Sequence, residues 1–142
     1  GRESVVAVKD ATGDIAQARD RIARTGLAWY SGDDPLTLDF LRAGAVGVVS
    51  VASHAIGESI ARMIAAHDAG AAAAAQAELD SQQAAIEAIM GGGLGAVTAK
   101  AAMEALGVIA SRHMRLPHVT FDDAEYTSFV ALLRQAGVPV EH

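Results

Sequence analysis

The chain has 142 residues, which is the size of one ordinary domain, and 51% of them are hydrophobic, which is enough to build a core. The formal net charge of -6 argues against nucleic acid as a partner, and the absence of cysteine excludes disulfide scaffolds and thiol nucleophiles. There is no signal-like start and no apolar stretch of about 18 residues, so we expect a cytoplasmic protein with no membrane partner.

Short apolar segments alternate with amphipathic helices three times in the first half of the chain, which is typical of βα units in a parallel sheet. The predicted strands are residues 5–8, 27–30 and 46–51, and the first is a continuous β-branched segment, as in strands covered on both faces. Asp14 is predicted to cap the first helix, which ends at Gly26.

The next two helices also carry start and stop signals. Asp34 followed by Pro35 predicts an N-cap and first helical residue, and Gly44 ends that helix. A third helix has apolar side chains at helical spacing over residues 56–67 and ends near Gly70.

After residue 70 the pattern is purely helical. The alanine-rich segment is predicted to be helix and not linker, because alanine is the best helix former. A run of glycines, Gly91–Gly95, separates it from the next helix, and Thr120 is predicted to cap the last one. The predicted helices cover residues 71–90, 97–106 and 120–136.

Three parallel strands leave two open sheet edges, whereas parallel sheets are normally extended and covered. A (β/α)8 barrel needs about 250 residues, so this chain has room for only its last three βα units. We therefore predict an α/β fold in which residues 1–70 form the C-terminal part of a TIM barrel and residues 71–142 a C-terminal helical region. The chain is expected to be a C-terminal fragment or one piece of a nicked chain.

Lys9 is the strongest candidate for a catalytic residue. It directly follows the first apolar segment, at the end of a predicted strand, where barrel enzymes carry their catalytic groups. In an apolar mouth, loss of hydration disfavours the ammonium form, and a neutral amine can attack a carbonyl to form a Schiff base. The alternative is a lysine that ends a strand and points into water. Lys100, the other lysine, is expected to be solvated or at an interface.

A second candidate is the stretch Ser31–Asp34, which follows the second strand. Gly32 would allow the backbone to approach a ligand closely at the mouth where Lys9 emerges, and the alternative is a plain turn with a helix cap. The third strand ends near Val49, so three strand ends are predicted to converge on one rim.

Two other patterns carry no site. The pattern Gly-x-Gly-x-x-Ala is matched by Gly91, Gly93 and Ala96, but it follows a helix instead of a strand, so we interpret the segment as a connection between helices. Neither His113 nor His118 belongs to a cluster with zinc-site spacing, and no metal is expected.

The segment Val5–Asp14 resembles the Schiff-base segment of the dihydrodipicolinate synthase family, whose members are pyruvate-dependent enzymes similar to class I aldolases. Three further segments match family signatures in the same order: Tyr30–Asp34, Gly44–Val51 and Arg115–Pro117. The resemblance covers essentially the whole chain and is closest to actinobacterial members. The Ser-Gly-Asp-Asp stretch favours the synthases over the related sialic-acid lyases.

The resemblance implies a (β/α)8 barrel with a C-terminal helical region, assembled as a homotetramer and acting in lysine and diaminopimelate biosynthesis. It implies that Lys9 is the catalytic amine, which captures pyruvate as an imine whose enamine then adds to aspartate semialdehyde. It also implies that Gly32 and Val49 bind substrate, Val49 through its backbone oxygen. Neither a cofactor nor a metal is implied.

The family's strand-two threonine, strand-five tyrosine and substrate-binding arginine have no counterpart in this sequence, so the resemblance implies the N-terminal half of the enzyme as a partner and an inactive chain without it. Neither Tyr30 nor Tyr126 stands at the tyrosine motif. Gly91–Gly95 replaces an Asn-Pro of the family, while the helix lysine remains as Lys100. Two alternatives stay open: another pyruvate-dependent aldolase or lyase, such as a keto-sugar-acid aldolase, and a non-catalytic half-barrel whose sheet edges pair with a second copy.

Overall fold

The structure is a computed structural model that describes residues 4–140, so residues 1–3 and 141–142, at the outer ends of the two predicted domains, lie outside it. The strands are β1 Ala7–Asp10, β2 Ala28–Ser31 and β3 Gly47–Val48. The helices are α1 Ile15–Thr25, α2 Thr37–Arg42, α3 Ser53–Asp68, α4 Ala72–Gly91, α5 Gly95–Ala105 and α6 Asp123–Gln135, with a 3₁₀ turn, Asp34–Leu36, directly before α2. Over residues 4–140, none of these helices is long and apolar enough to span a bilayer.

The chain divides into two compact units. The first consists of the residues up to Ser50 together with Ala61–Asp80, and it contains the whole sheet. The second consists of Val51–Ile60 and the residues from Ser81 onward, and its described elements are helical. The predicted α/β class with parallel strands is confirmed, while the division into a barrel part and a helical region at residue 70 stays a prediction.

The sheet has the order β1-β2-β3, and both neighbouring pairs are parallel. Lys9, Tyr30 and Gly47 are in register across it, and because side chains alternate between the faces of a strand, these three lie on the same face. We call this face, extended past the end of β2 to Gly32, the lysine face.

The opposite face of the sheet carries one hydrophobic core cluster of the first unit. Trp29 projects from β2 into a buried cluster with Ala18 of α1, Phe40 of α2 and Ala45. Five half-buried apolar side chains pack around this cluster: Val8, Ile15, Ile22, Leu27 and Leu36. The helices α1 and α2 therefore cover one face of the sheet and leave the lysine face free of this core.

The first two strands have the predicted length but begin two residues and one residue later than predicted, and the third is shorter than predicted. The first begins at Ala7, so Val5 and Val6 precede it and are 45% and 73% exposed. The third contains only Gly47 and Val48, because its ladder with β2 ends where β2 ends, at Ser31. Apolar, β-branched composition indicates a strand, but the extent of backbone pairing depends on the neighbouring strand.

The helix α1 begins and ends as predicted. Asp14 is its N-cap and accepts a 2.9 Å hydrogen bond from the backbone N–H of Gln17. Gly26 follows the last turn with φ 64°, in the left-handed region that glycine adopts at low cost. The helical interpretation of the alanine-rich segment is also confirmed by α4, which starts after Gly70.

Two predicted helix caps are wrong. Asp34 is the first residue of the 3₁₀ turn and not its N-cap, which is Asp33, and the side chain of Asp34 bonds elsewhere. The last helix is capped by Asp122, two residues after Thr120, in a capping box with Glu125. Thr120 accepts a hydrogen bond from a connector amide instead. Both errors arise because several capping residues stand within a few positions and tertiary contacts select among them.

We expect Asp14→Ala to lower the free energy of unfolding by about 1 kcal/mol, because the first-turn amide of Gln17 loses its acceptor. Urea titration followed by circular dichroism measures this loss. Asp14→Asn keeps an oxygen in the capping position and is the matched control, so it should stay close to the unsubstituted chain. Equal losses in both variants would show that the charge matters here and the cap does not.

Candidate functional site

Lys9 is the third residue of β1, one position before the strand ends. Its side chain belongs to the lysine face and is exposed among the described residues. The apolar enclosure of the amine, predicted from the sequence, is therefore not formed by these residues and stays a prediction. What the structure does provide is a lysine fixed to a regular strand at the carboxyl end of a parallel sheet.

Gly32 lies directly against Lys9. A Cβ atom at position 32 would be 2.7 Å from Lys9 Cε and 2.8 Å from Ala11 Cβ, closer than real side chains approach. The backbone N–H of Gly32 donates a 2.7 Å hydrogen bond to Asp10 O, which holds the turn after β2 against the end of β1. The Lys9 side chain therefore occupies the space that the Cβ atom of any residue other than glycine would fill at position 32.

Val49 follows β3 directly. We call the carboxyl ends of the three strands, at Lys9, Gly32 and Val49, the rim. Its backbone N–H donates a 2.8 Å hydrogen bond to Ser31 O at the end of β2, and its side chain is exposed. Between β2 and β3, the ring of Tyr30 lies over Gly47, where an added Cβ would be 3.3 Å from two ring carbons. The three predicted site residues thus occupy consecutive strand ends of one sheet: Lys9, Gly32 and Val49.

Asp10, next to Lys9, points to the opposite face and is buried. Its Oδ1 accepts hydrogen bonds from Thr12 N at 2.9 Å and Thr12 Oγ1 at 2.7 Å, and Arg21 lies 3.5 Å from Oδ2. Burial alone would raise the pKa of Asp10, but the Thr12 hydrogen bonds and the charge of Arg21 outweigh it, so the pKa is lower than usual. A buried carboxylate thus anchors the strand end that carries the lysine.

The sequence analysis included Ser31 and Asp34 in a candidate stretch, but it did not predict the side-chain contacts of three polar residues at this rim. Ser31 and Asp34 are buried, and Ser50 Oγ donates a hydrogen bond to Asp34 Oδ1. Ser31 Oγ donates to Asp33 O at 2.8 Å, which closes the turn around Gly32. The available signal was their position, since all three stand at or just after the carboxyl end of a predicted strand.

The remaining sequence candidates lie in the second unit. Lys100 Nζ donates a hydrogen bond to the backbone oxygen of His113, so it fastens the connector between α5 and α6. In residues 4–140 no three His, Asp or Glu side chains come together as metal ligands.

The same connector is held by an ion cluster around Arg112. The guanidinium contacts Glu104 Oε2 at 2.7 Å and Asp123 Oδ1 at 3.1 Å, and it stacks 3.9 Å from the ring centre of Tyr126. The hydrogen bond to Glu104 raises the pKa of Arg112, while burial and then Glu104 raise the pKa of Tyr126. We interpret this cluster as a structural clamp on α6.

Residues 2–136 match the family model described as the dihydrodipicolinate synthetase family. The chain is 43% identical over 136 residues to the 4-hydroxy-tetrahydrodipicolinate synthase of the actinobacterium Bifidobacterium longum strain DJO10A. The aligned residues are 96% of this chain and 45% of that relative. The chain thus spans less than half the length of this relative.

Solved structures show the same likeness. Dihydrodipicolinate synthase from Aquifex aeolicus aligns with 99% of this chain and 48% of its own, at a TM-score of 0.88 and 23% identity. The chloride-inhibited enzyme from Acinetobacter baumannii, complexed with pyruvate, aligns with 94% of this chain and 46% of its own, at a TM-score of 0.84 and 24% identity. At these identities, the likeness shows a shared fold.

We expect Gly32→Ala to lower the free energy of unfolding by about 1–3 kcal/mol, because the added methyl group must displace the Lys9 side chain or the strand end. Gly91→Ala is the matched control. Nothing lies within 4 Å of the added methyl group at the end of α4, so its effect should stay within about 1 kcal/mol and favour the helix. Denaturant titration of both variants measures the difference, and equal effects would contradict the close contact.

The lowered pKa of Asp10 predicts a pH-dependent contribution to stability. The ordinary value is 3.8, so the stabilisation is complete well above that pH and is lost as the pH falls through 3.8 toward the lower folded value. Asp10→Asn should therefore flatten the fall in the free energy of unfolding between about pH 5 and about pH 3. Thr12→Val, which removes a donor to the same carboxylate, should flatten it partly. An unchanged slope in Asp10→Asn would contradict the prediction.

Proposed function

Because the chain belongs to the dihydrodipicolinate synthetase family, we propose that it is the C-terminal half of a 4-hydroxy-tetrahydrodipicolinate synthase, a lyase of lysine and diaminopimelate biosynthesis. The observation that carries the proposal is the contact of Lys9 with Gly32 at the carboxyl end of the parallel sheet. The B. longum relative has this activity in its name, and the A. baumannii enzyme of the same fold binds pyruvate.

In the proposed reaction, the neutral amine of Lys9 attacks the keto carbon of pyruvate, and water leaves as the imine forms. The protonated imine withdraws electrons, so a methyl proton is lost and an enamine results. The enamine carbon then forms a bond to the aldehyde carbon of aspartate semialdehyde, whose oxygen takes up a proton and becomes a hydroxyl group. Attack of an amine or of water on the regenerated imine carbon then releases the product and frees the Lys9 amine. Lysine suits this sequence because its amine is first a nucleophile and then, as an imine, an electron sink.

Gly32 and Val49 have substrate-binding roles in this proposal. Because position 32 has no side chain, the Lys9 side chain can pass directly over the Gly32 backbone, which would then lie beside the small keto acid. Val49, which follows β3, would present its backbone oxygen to the lysine and pyruvate. Both residues belong to the rim to which Lys9 also belongs, which supports one common site.

The partner in this proposal is the N-terminal half of the same enzyme. The chain spans 45% of its relative, the Lys9 side chain is exposed, and β1 and β3 are both edge strands. Residues 1–70 would be the last three βα units of a (β/α)8 barrel and residues 71–142 its helical region, and the N-terminal half would enclose the amine. We propose that the assembled enzyme is a cytoplasmic homotetramer and that this chain alone is inactive.

Two alternatives follow from the same observations. Another aldolase or lyase of the superfamily would use Lys9 with pyruvate in the same way and a different aldehyde. A non-catalytic half-barrel would instead pair its edge strands with a second copy, and the exposed Val5 and Val6 before β1 favour such pairing. The experiment below separates these alternatives.

The test is borohydride trapping with pyruvate on this chain assembled with the part of the B. longum relative that it does not match. We expect a reduced pyruvate adduct on Lys9, located by peptide mapping, because the imine carbon accepts hydride from borohydride. The sequence contains only one other lysine, Lys100, so the modified position can be assigned directly.

Lys9→Arg keeps the positive charge but cannot form the imine, so trapping should be lost. Lys100→Arg is the matched control and should retain it. A homodimer that traps no pyruvate would favour the half-barrel module, and an assembled pair of halves that forms no adduct would overturn the Schiff-base proposal. Consumption of pyruvate by the assembled protein without borohydride, in the presence of aspartate semialdehyde and, separately, of sugar aldehydes, identifies the second substrate.

A further inference from the structure

The turn after β2 is joined to the segment after β3 through a buried carboxylate. Asp34 is 3% exposed, and its Oδ1 accepts a hydrogen bond from Ser50 Oγ. Asp34 is the N-cap of neither the 3₁₀ turn nor α2, since these positions are Asp33 and Leu36. Its side chain instead makes a contact between the segments that follow β2 and β3.

Stability alone does not account for a carboxylate at this position. Burying one is costly even when it is hydrogen-bonded, and an apolar side chain of similar volume often replaces a buried charged group at no loss of stability. We interpret the contact as one that specifies a single arrangement of the chain. What Asp34 specifies is the position of Ser50.

The position of Ser50 matters because it directly follows Val49. Val49 N donates to Ser31 O at 2.8 Å, and the hydroxyl of Ser31 donates to Asp33 O and accepts from Asp33 N at 3.1 Å. These bonds close the turn that carries Gly32. The backbone bond to Ser31 and the side-chain bond to Asp34 therefore both hold the segment after β3.

We infer that Asp34 is a positioning residue, which through Ser50 holds the Val49 backbone at a fixed distance from the Gly32 turn and so sets the width of the pyruvate-binding rim beside Lys9. The inference rests on the proposed function, which places pyruvate at this rim. Asp34 acts through Ser50 and not on the substrate, so we expect it to affect pyruvate affinity and not the capacity to form the imine.

The first measurement tests the positioning itself on this chain, without any catalytic readout. In Ser50→Ala, the hydroxyl donor to Asp34 is lost, and we expect hydrogen exchange of the peptide that contains Val49 to become about tenfold faster. Ser50→Thr keeps the hydroxyl and should restore slow exchange. Ser128→Ala is the matched control, because it removes an exposed hydroxyl bonded to a carbonyl of its own helix.

The second measurement is the pyruvate concentration that gives half-maximal borohydride trapping on Lys9 in the assembled protein. We expect it to rise about tenfold in Ser50→Ala while the maximal extent of trapping stays unchanged, and to return in Ser50→Thr. A general loss of folding would lower the maximal extent instead. Asp34→Asn keeps an acceptor oxygen without the charge, so its half-maximal pyruvate concentration should lie between those of the unsubstituted protein and Ser50→Ala.

The two measurements separate the inference from the proposed function. No adduct in the unsubstituted assembly overturns the proposed function, and the exchange result then still decides whether Asp34 holds the Val49 segment through Ser50. Unchanged exchange in Ser50→Ala overturns the inference. Faster exchange with an unchanged half-maximal pyruvate concentration also overturns it, because the contact would then be structural only.

Discussion

The close approach of two parallel strand ends at Gly32 is the constraint on which the candidate site depends. The glycine amide donates to Asp10 O, and the Lys9 side chain occupies the space where any other residue would place its Cβ. A larger residue there would separate β1 from β2 or expel the lysine. The parallel register then places Tyr30 beside Lys9 and Gly47 beside Tyr30. The absence of a Cβ atom at position 32 thus determines both how closely β1 and β2 approach at this end and where the Lys9 side chain lies.

Because side chains alternate along each strand, the side chains that form the hydrophobic cluster and the candidate catalytic lysine lie on opposite faces of the sheet. Trp29 and its helical neighbours fill one face of the sheet, while the lysine face carries groups that the core does not need. The buried carboxylates Asp10 and Asp34 lie at or just after the carboxyl ends of β1 and β2. Each accepts hydrogen bonds from side chains close to a strand end, and each fixes a segment that reaches the lysine face. Carboxylates, which a hydrophobic core usually excludes, are thus present where they hold the segments at the carboxyl ends of the strands.

Exposure of the Lys9 amine connects the structure to the proposed chemistry. Imine formation needs the neutral amine, which loss of hydration favours. Completion of the barrel by an N-terminal half would remove water from around the amine and cover the edges of β1 and β3 in the same step. Under the proposed function, assembly and activation of the nucleophile are therefore one event, and the lysine face of this chain is one wall of the site.

The sequence by itself determined the elements, the family and the leading catalytic candidate. Apolar segments, the Asp14 cap and the alanine-rich helix follow from local propensities, which act within a few residues, and the segment around Lys9 is specific enough to identify the family. The tertiary structure alone decided which of the nearby polar residues caps a helix and which crosses to another strand. Asp34 has the local pattern of an N-cap, yet its carboxylate bonds to Ser50, sixteen residues away. No local pattern contains that contact, because it exists only once β2 and β3 lie side by side.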